Sequence, residues 1–249
     1  MIRSMDRRGL SLLAGAALSL AIVLIANVVP GGAAAEGGVS SISERAVAVS
    51  QAIRGEQVQL APAPTMPACA RVAVVGDSLT AASRSSLVSE LDRAGIDNVV
   101  DGQVSRRIPA AVRDPYSGVS ATRRIRATWG EADCWVIGLG SNDLESGADD
   151  PILAARWIDE QMAAVTPGAR VWWINVYYRY EAGNAFDFPS ATAVFNGVLA
   201  QRAAGDPLLV VLDWFSLVEM NPGWLVDGVH VRAEGYLART DLTMGALPR

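Results

Sequence analysis

From Arg71 onward, short continuous apolar runs alternate with stretches of helical periodicity. RVAVVGD (71–77), DNVVDG (97–102), CWVIGLG (134–140), ARVWWINVYY (169–178) and PLLVVLDW (207–214) read as five strands. The nearly unbroken apolar character of the third suits a strand covered on both faces. Between them lie helical patterns: about Thr80 to Ala94, ILAARWIDEQMAAV (152–165), and ATAVFNGVLAQRAAG (191–205) with Gly205 as its stop; a last helix is expected just after His230. Strand and helix in this alternation predict an α/β domain, a parallel sheet with helices on both faces. Trp172 and Trp173 then belong to the packing between sheet and helices.

The chain ahead of this pattern is different. Arg3, Arg7 and Arg8 precede an uncharged, mostly apolar run from Gly9 to Val29, and small residues follow at Ala33–Ala35. Residues 1–35 therefore read as a cleaved signal peptide or as an uncleaved signal-anchor helix, since the run is long for a signal core and long enough to span a bilayer. Both readings place the remainder outside the cytoplasm, secreted or held at the outer face of the membrane. Residues 36–66, rich in Ala, Gly, Ser and Pro and ending in APAPTMP, read as a linker, with a weak helix conceivable over 41–59. The compact domain is 67–249.

Composition narrows the choices. The formal net charge is -5, so nothing global points to a nucleic-acid partner. All 21 basic residues are Arg. Arg123, Arg124 and Arg126 read as a solvated helix face before they read as a site for an anionic glycan. One His and two Cys make no convincing zinc set, the acidic loop at 143–150 has no ordered calcium pattern, and no glycine-rich phosphate loop is present, so no metal or cofactor is expected. A monomer is expected. Cys69 and Cys134 are a disulfide or two buried thiols; spacing does not decide.

In a parallel sheet, chemistry collects beyond the C-terminal ends of the strands. Ser78 follows the first strand, where it is either a helix cap or a nucleophile at a helix N-terminus. Asn142 follows the third, as a turn residue or as an amide donor aimed at the same point. Asp227 and His230 lie in the segment before the last helix. His230, the single histidine, is a polar residue beside the core or a proton acceptor for Ser78, with Asp227 fixing its tautomer.

These segments resemble a known family. VVGDSLT, GLGSND and DGVH are similar to three motif blocks of the SGNH (GDSL-type) hydrolases, and the resemblance runs from Arg71 to Leu237. It implies a three-layer, flavodoxin-like α/β/α fold with strand order 2-1-3-4-5. It implies a serine esterase in which Ser78 is the nucleophile, His230 the base, Asp227 its partner, and Asn142 and the Ser78 N–H oxyanion donors. One block departs: aligning VVDGQVSRRI on the family's second block puts Arg106 where an oxyanion-hole glycine is usual, so the Arg106 N–H is the expected third donor. VDxxVSR resembles SGNH domains attached to bacterial envelope acyltransferases. The implied substrate is an ester-bearing small molecule, lipid or O-acyl glycan, and the implied outcome is hydrolysis or transfer to an envelope glycan. A catalytically idle, envelope-tethered glycan-binding module is the alternative from another class. Tyr177, Tyr178 and Tyr180 are candidate substrate contacts or ordinary loop packing. In the implied sheet, strands one and three are neighbours, which places Cys69 and Cys134 at the same edge, away from the site, and allows a bridge there.

Overall fold

The computed structural model describes residues 67–109, 114–179, 183 and 185–248. The N-terminal apolar segment and the linker lie outside the described residues. Five strands, β1 (Arg71–Gly76), β2 (Asp97–Gly102), β3 (Cys134–Gly138), β4 (Arg170–Ile174) and β5 (Leu209–Leu212), form one all-parallel sheet in the order 2-1-3-4-5. Six α-helices flank it: α1 (Ser78–Arg93), α2 (Gly118–Thr128), α3 (Pro151–Ala164), α4 (Phe188–Gly205), α5 (Trp214–Glu219) and α6 (Ala233–Ala246).

Successive strand residues point to opposite faces, which splits the core in two. Ala73, Val75, Trp135, Ile137, Val171 and Trp173 pack on one side with α2, α3 and α4 residues such as Ile125, Ile158 and Phe195. Val72, Val74, Val136, Trp172 and Ile174 pack on the other with Leu87 and Leu91 of α1, Trp214 of α5 and Met244 of α6. The adjacent tryptophans 172 and 173 thus serve different layers.

Side-chain oxygens start most of the helices. Asp77, Ser117, Asp150, Asp187 and Asp213 each accept a hydrogen bond from a first-turn N–H of α1, α2, α3, α4 and α5, satisfying donors that no helix can satisfy itself. This shortens the fifth strand: its apolar run continues to Trp214, but Asp213 Oδ1 accepts from Ser216 N at 3.1 Å and opens α5. β4 also ends early, at Ile174 rather than Tyr178. Beyond it the Asn196 side chain of α4 accepts from Val176 N at 3.0 Å and donates to Val176 O at 2.8 Å, replacing a neighbouring strand.

Cys69, just before β1, and Cys134, the first residue of β3, form a disulfide with Cα atoms 5.8 Å apart. It lies at the N-terminal ends of the strands, opposite the end that carries Ser78.

Candidate active site

Ser78 is the first residue of α1, placed by the turn at Gly76-Asp77. Gly76 and Gly138 are partners in the β1–β3 register. A Cβ on Gly76 would lie 1.9 Å from Thr80 Oγ1, so only glycine lets α1 start this close to the strand end. Asp77 N donates to Gly138 O at 3.1 Å, and Asp77 Oδ1 accepts from Leu79 N at 3.0 Å.

The last loop brings the other two residues. Leu225 and Val231 form an antiparallel bridge, and Val226 N donates to His230 O at 2.9 Å, closing 225–231 into a tight excursion. Within it, Asp227 Oδ1 accepts from Val229 N at 2.8 Å and His230 N at 2.6 Å. Asp227 Oδ2 lies 2.8 Å from His230 Nδ1, and His230 Nε2 lies 3.0 Å from Ser78 Oγ. A carboxylate at Nδ1 puts the ring proton there and leaves Nε2 as the acceptor of the Ser78 proton. Burial works against the Asp227 anion, but the Val229 and His230 N–H groups and the His230 ring outweigh it and hold the carboxyl below its usual range.

Asn142, in the loop after β3, donates from Nδ2 to Arg106 O at 3.2 Å. Its amide has a second hydrogen, free of that bond. Gly140 in the same loop has φ +129° and a Cβ there would meet Phe195 at 2.6 Å, so the chain turns there only as glycine. Asp143 is fully buried and accepts from Ile108 N, clamping the loop after β2 to the loop after β3. Burial pushes its carboxyl up to about 8, against the pull of the Ile108 N–H.

Arg106 is not placed as expected. Its N–H closes a turn onto Gln103 O at 3.2 Å. Its guanidinium is buried, donating to Tyr116 O, Gly76 O and Asp101 O and pairing with Asp101 Oδ1 at 2.8 Å. The glycine-like backbone belongs one residue earlier: Ser105, at φ 58°, is the only non-glycine residue with positive φ among the described residues. Arg106 is therefore the buried support of this turn.

The tyrosines divide. Tyr177 is 1% exposed and its ring lies 5.4 Å from that of Phe215, inside the core on the α1/α6 side. Tyr178 stacks on Phe188 at 3.8 Å between centroids. Tyr180 lies outside the described residues. Arg124 is paired with Asp101 and Arg126 with Glu131, so these cations support the fold's own carboxylates.

No protein-family model matches the chain, and no curated protein matches it in sequence. Solved structures do match. A GDSL-like lipase of Bacteroides thetaiotaomicron superposes with a TM-score of 0.56 at 19% identity, over 79% of this chain and 95% of that one. A lipolytic G-D-S-L family protein of Veillonella parvula gives 0.57 at 14% identity, over 72% and 98%. The fold is that of the SGNH hydrolases. The C-terminal catalytic domain of peptidoglycan O-acetyltransferase A from Streptococcus pneumoniae shares this SGNH fold too, with a TM-score of 0.53 at 16% identity over 72% of this chain and 93% of that domain. In this fold Ser78 opens α1 directly after β1, Asn142 lies in the loop after β3, and Asp227 and His230 lie in the loop before α6.

Proposed function

We propose that this protein is an extracytoplasmic serine esterase that acts on O-acyl esters through an acyl-enzyme. The observation that carries the reading is the continuous relay from Ser78 Oγ through the His230 ring to Asp227. Ser78 Oγ attacks the ester carbonyl as its proton passes to His230 Nε2. The carbonyl π electrons move to oxygen, where the Ser78 N–H at the start of α1 and the second Asn142 N–H stabilise the charge. Collapse of the intermediate expels the alcohol, which takes the proton from Nε2 and leaves Ser78 acylated. Water, deprotonated by the same nitrogen, then releases the carboxylic acid.

Export is supported by the arginine-led apolar N-terminus and by the disulfide, a bond at home in oxidising compartments. An O-acetylated envelope glycan is the proposed substrate, supported by the likeness to the peptidoglycan O-acetyltransferase domain. The same likeness favours a second outcome, in which a glycan hydroxyl replaces water and the acyl group is transferred.

A fluorophosphonate probe tests the chemistry: the folded protein should be labelled at Ser78, and absence of labelling rejects the esterase reading. A p-nitrophenyl ester series of increasing chain length, run with and without a glycan acceptor, reads acyl preference. Acylated glycan as product, in place of free acid, selects transfer over hydrolysis.

A further inference from the structure

The turn after β2 is held by an arginine where apolar packing would be the ordinary solution. The Arg106 side chain is 1% exposed, and its planar fork reaches three separate backbone segments. Nε donates to Tyr116 O at 2.8 Å, ahead of α2, and Nη1 donates to Gly76 O at 3.0 Å, at the end of β1. Nη1 also donates to Asp101 O in β2, and Nη2 pairs with Asp101 Oδ1 at 2.8 Å. Gly76 lies two residues before Ser78, and its carbonyl accepts a second bond from Gln103 N at 3.1 Å. The 103–106 turn is thus fixed twice to the strand end from which the nucleophile departs.

The Arg106 backbone faces the candidate oxyanion amide: its carbonyl accepts from Asn142 Nδ2 at 3.2 Å. An asparagine side chain carries a donor and an acceptor of nearly equal shape, and either can face a given point. The Arg106 carbonyl selects the nitrogen, because Oδ1 turned toward it would set two acceptors against each other. That selection works only if the carbonyl stays in place. The residue before it, Ser105, has φ 58°, a left-handed backbone that is unfavourable for a residue with a Cβ, so the turn does not hold itself. The guanidinium holds it, and Asp143 Oδ1, accepting from Ile108 N at 3.0 Å, ties the same two loops a second time. Burying an arginine is costly for a role that an apolar side chain of similar volume could fill. What the fork adds is direction, which lysine, a point charge on a flexible stem, does not supply.

We infer that Arg106 is a positioning residue for the oxyanion site: its guanidinium locks the turn after β2 to the strand end before Ser78, so that its own carbonyl holds the Asn142 amide with one N–H free for the acyl oxygen. The inference rests on the esterase reading above, with Asn142 as an oxyanion donor. Arg106 itself touches no reacting atom. Its effect on the reaction must therefore pass through Asn142.

The experiment is a double-mutant cycle on kcat for a p-nitrophenyl ester, with variants whose melting transitions show them folded at the assay temperature. Arg106→Lys keeps a charge for Asp101 and loses the fork. It should lower kcat by about 10–10²-fold with KM little changed, the effect of a displaced donor. Made in an Asn142→Ala background, the same substitution should lower kcat no further, because the amide it positions is gone. A loss of equal size in both backgrounds overturns the inference and leaves Arg106 as support of the fold alone. An unchanged kcat in Arg106→Lys, or in Asn142→Ala, overturns it too. Should Arg106→Lys fail to fold, Asp101→Asn goes through the same cycle, since Asp101 anchors the fork from a side chain that is 25% exposed. It should lower kcat severalfold, again only where Asn142 is present, and an equal or absent loss overturns the inference. Failure of the esterase reading is separate, since it appears as an unlabelled Ser78 in the wild type.

Discussion

Asp143 Oδ1 accepts a hydrogen bond from the backbone N–H of Ile108 at 3.0 Å, and both residues are fully buried. Through this bond the loop that carries Asn142, a candidate oxyanion donor, is tied to the loop after β2 that carries Arg106.

The Asp143 carboxyl makes stability depend on pH. Its folded value, about 8, lies above the ordinary carboxylate value. The native state therefore binds more protons than the unfolded chain between about pH 4 and pH 8, and stability falls as pH rises through that window. Asp143→Asn keeps an acceptor for Ile108 and removes the titration. The Tm difference between variant and wild type should grow in the variant's favour from pH 4 to pH 8, and a constant difference contradicts the assignment.

Ser78→Ala and His230→Ala should each lower turnover by on the order of 10⁴ or more, and the double variant should be hardly worse than either, because the pair acts as a unit. Asp227→Asn should lose less than Ser78→Ala. A folded His230→Ala variant with nearly wild-type turnover would instead make this imidazole structural.

Asn142→Ala should reduce kcat by about 10²–10³, the usual worth of one oxyanion donor, with little change in KM. Loss confined to KM would place the amide on the ground-state substrate.

Arg106 and Ser105 should respond in opposite directions. Arg106→Gly strips donors from Gly76 O, Asp101 O and Tyr116 O and leaves Asp101 without its buried partner. It should cost about 3–5 kcal/mol in chemical denaturation. Ser105→Gly relieves a left-handed backbone and should stabilise by about 1 kcal/mol.

The disulfide closes a long loop, with 65 residues of sequence separation. Cys69→Ala should cost about 2–5 kcal/mol. Two freely alkylated thiols in protein recovered without reductant would reject the bridge.

The strands, the polar strand-end loops and the Asp227–His230 contact were legible in the sequence because each depends on neighbours only a few residues away. An apolar run long enough for one strand, an aspartate before a helix, and a carboxylate three residues before an imidazole carry their physics locally. The joining of Ser78 to His230, 152 positions apart, was implied by the motif resemblance, since His230 follows a helix and not a strand end. What only the tertiary structure decided concerns burial and long-range polar pairing. Arg106 reads as a backbone oxyanion donor until Gly76, Asp101 and Tyr116 take its guanidinium into the fold, and Tyr177 reads as a candidate substrate contact or loop packing until Phe215 of α5 packs against it. Asn196 looks like an ordinary helix polar residue, yet it ends β4 by taking the place of a strand. Arg239, with nothing in its helix to mark it, is buried against the sheet where Gly76 and Gly138 of different strands come into register. Such residues answer to the dielectric and the partners that folding assembles around them, and those are not properties of any local stretch of chain.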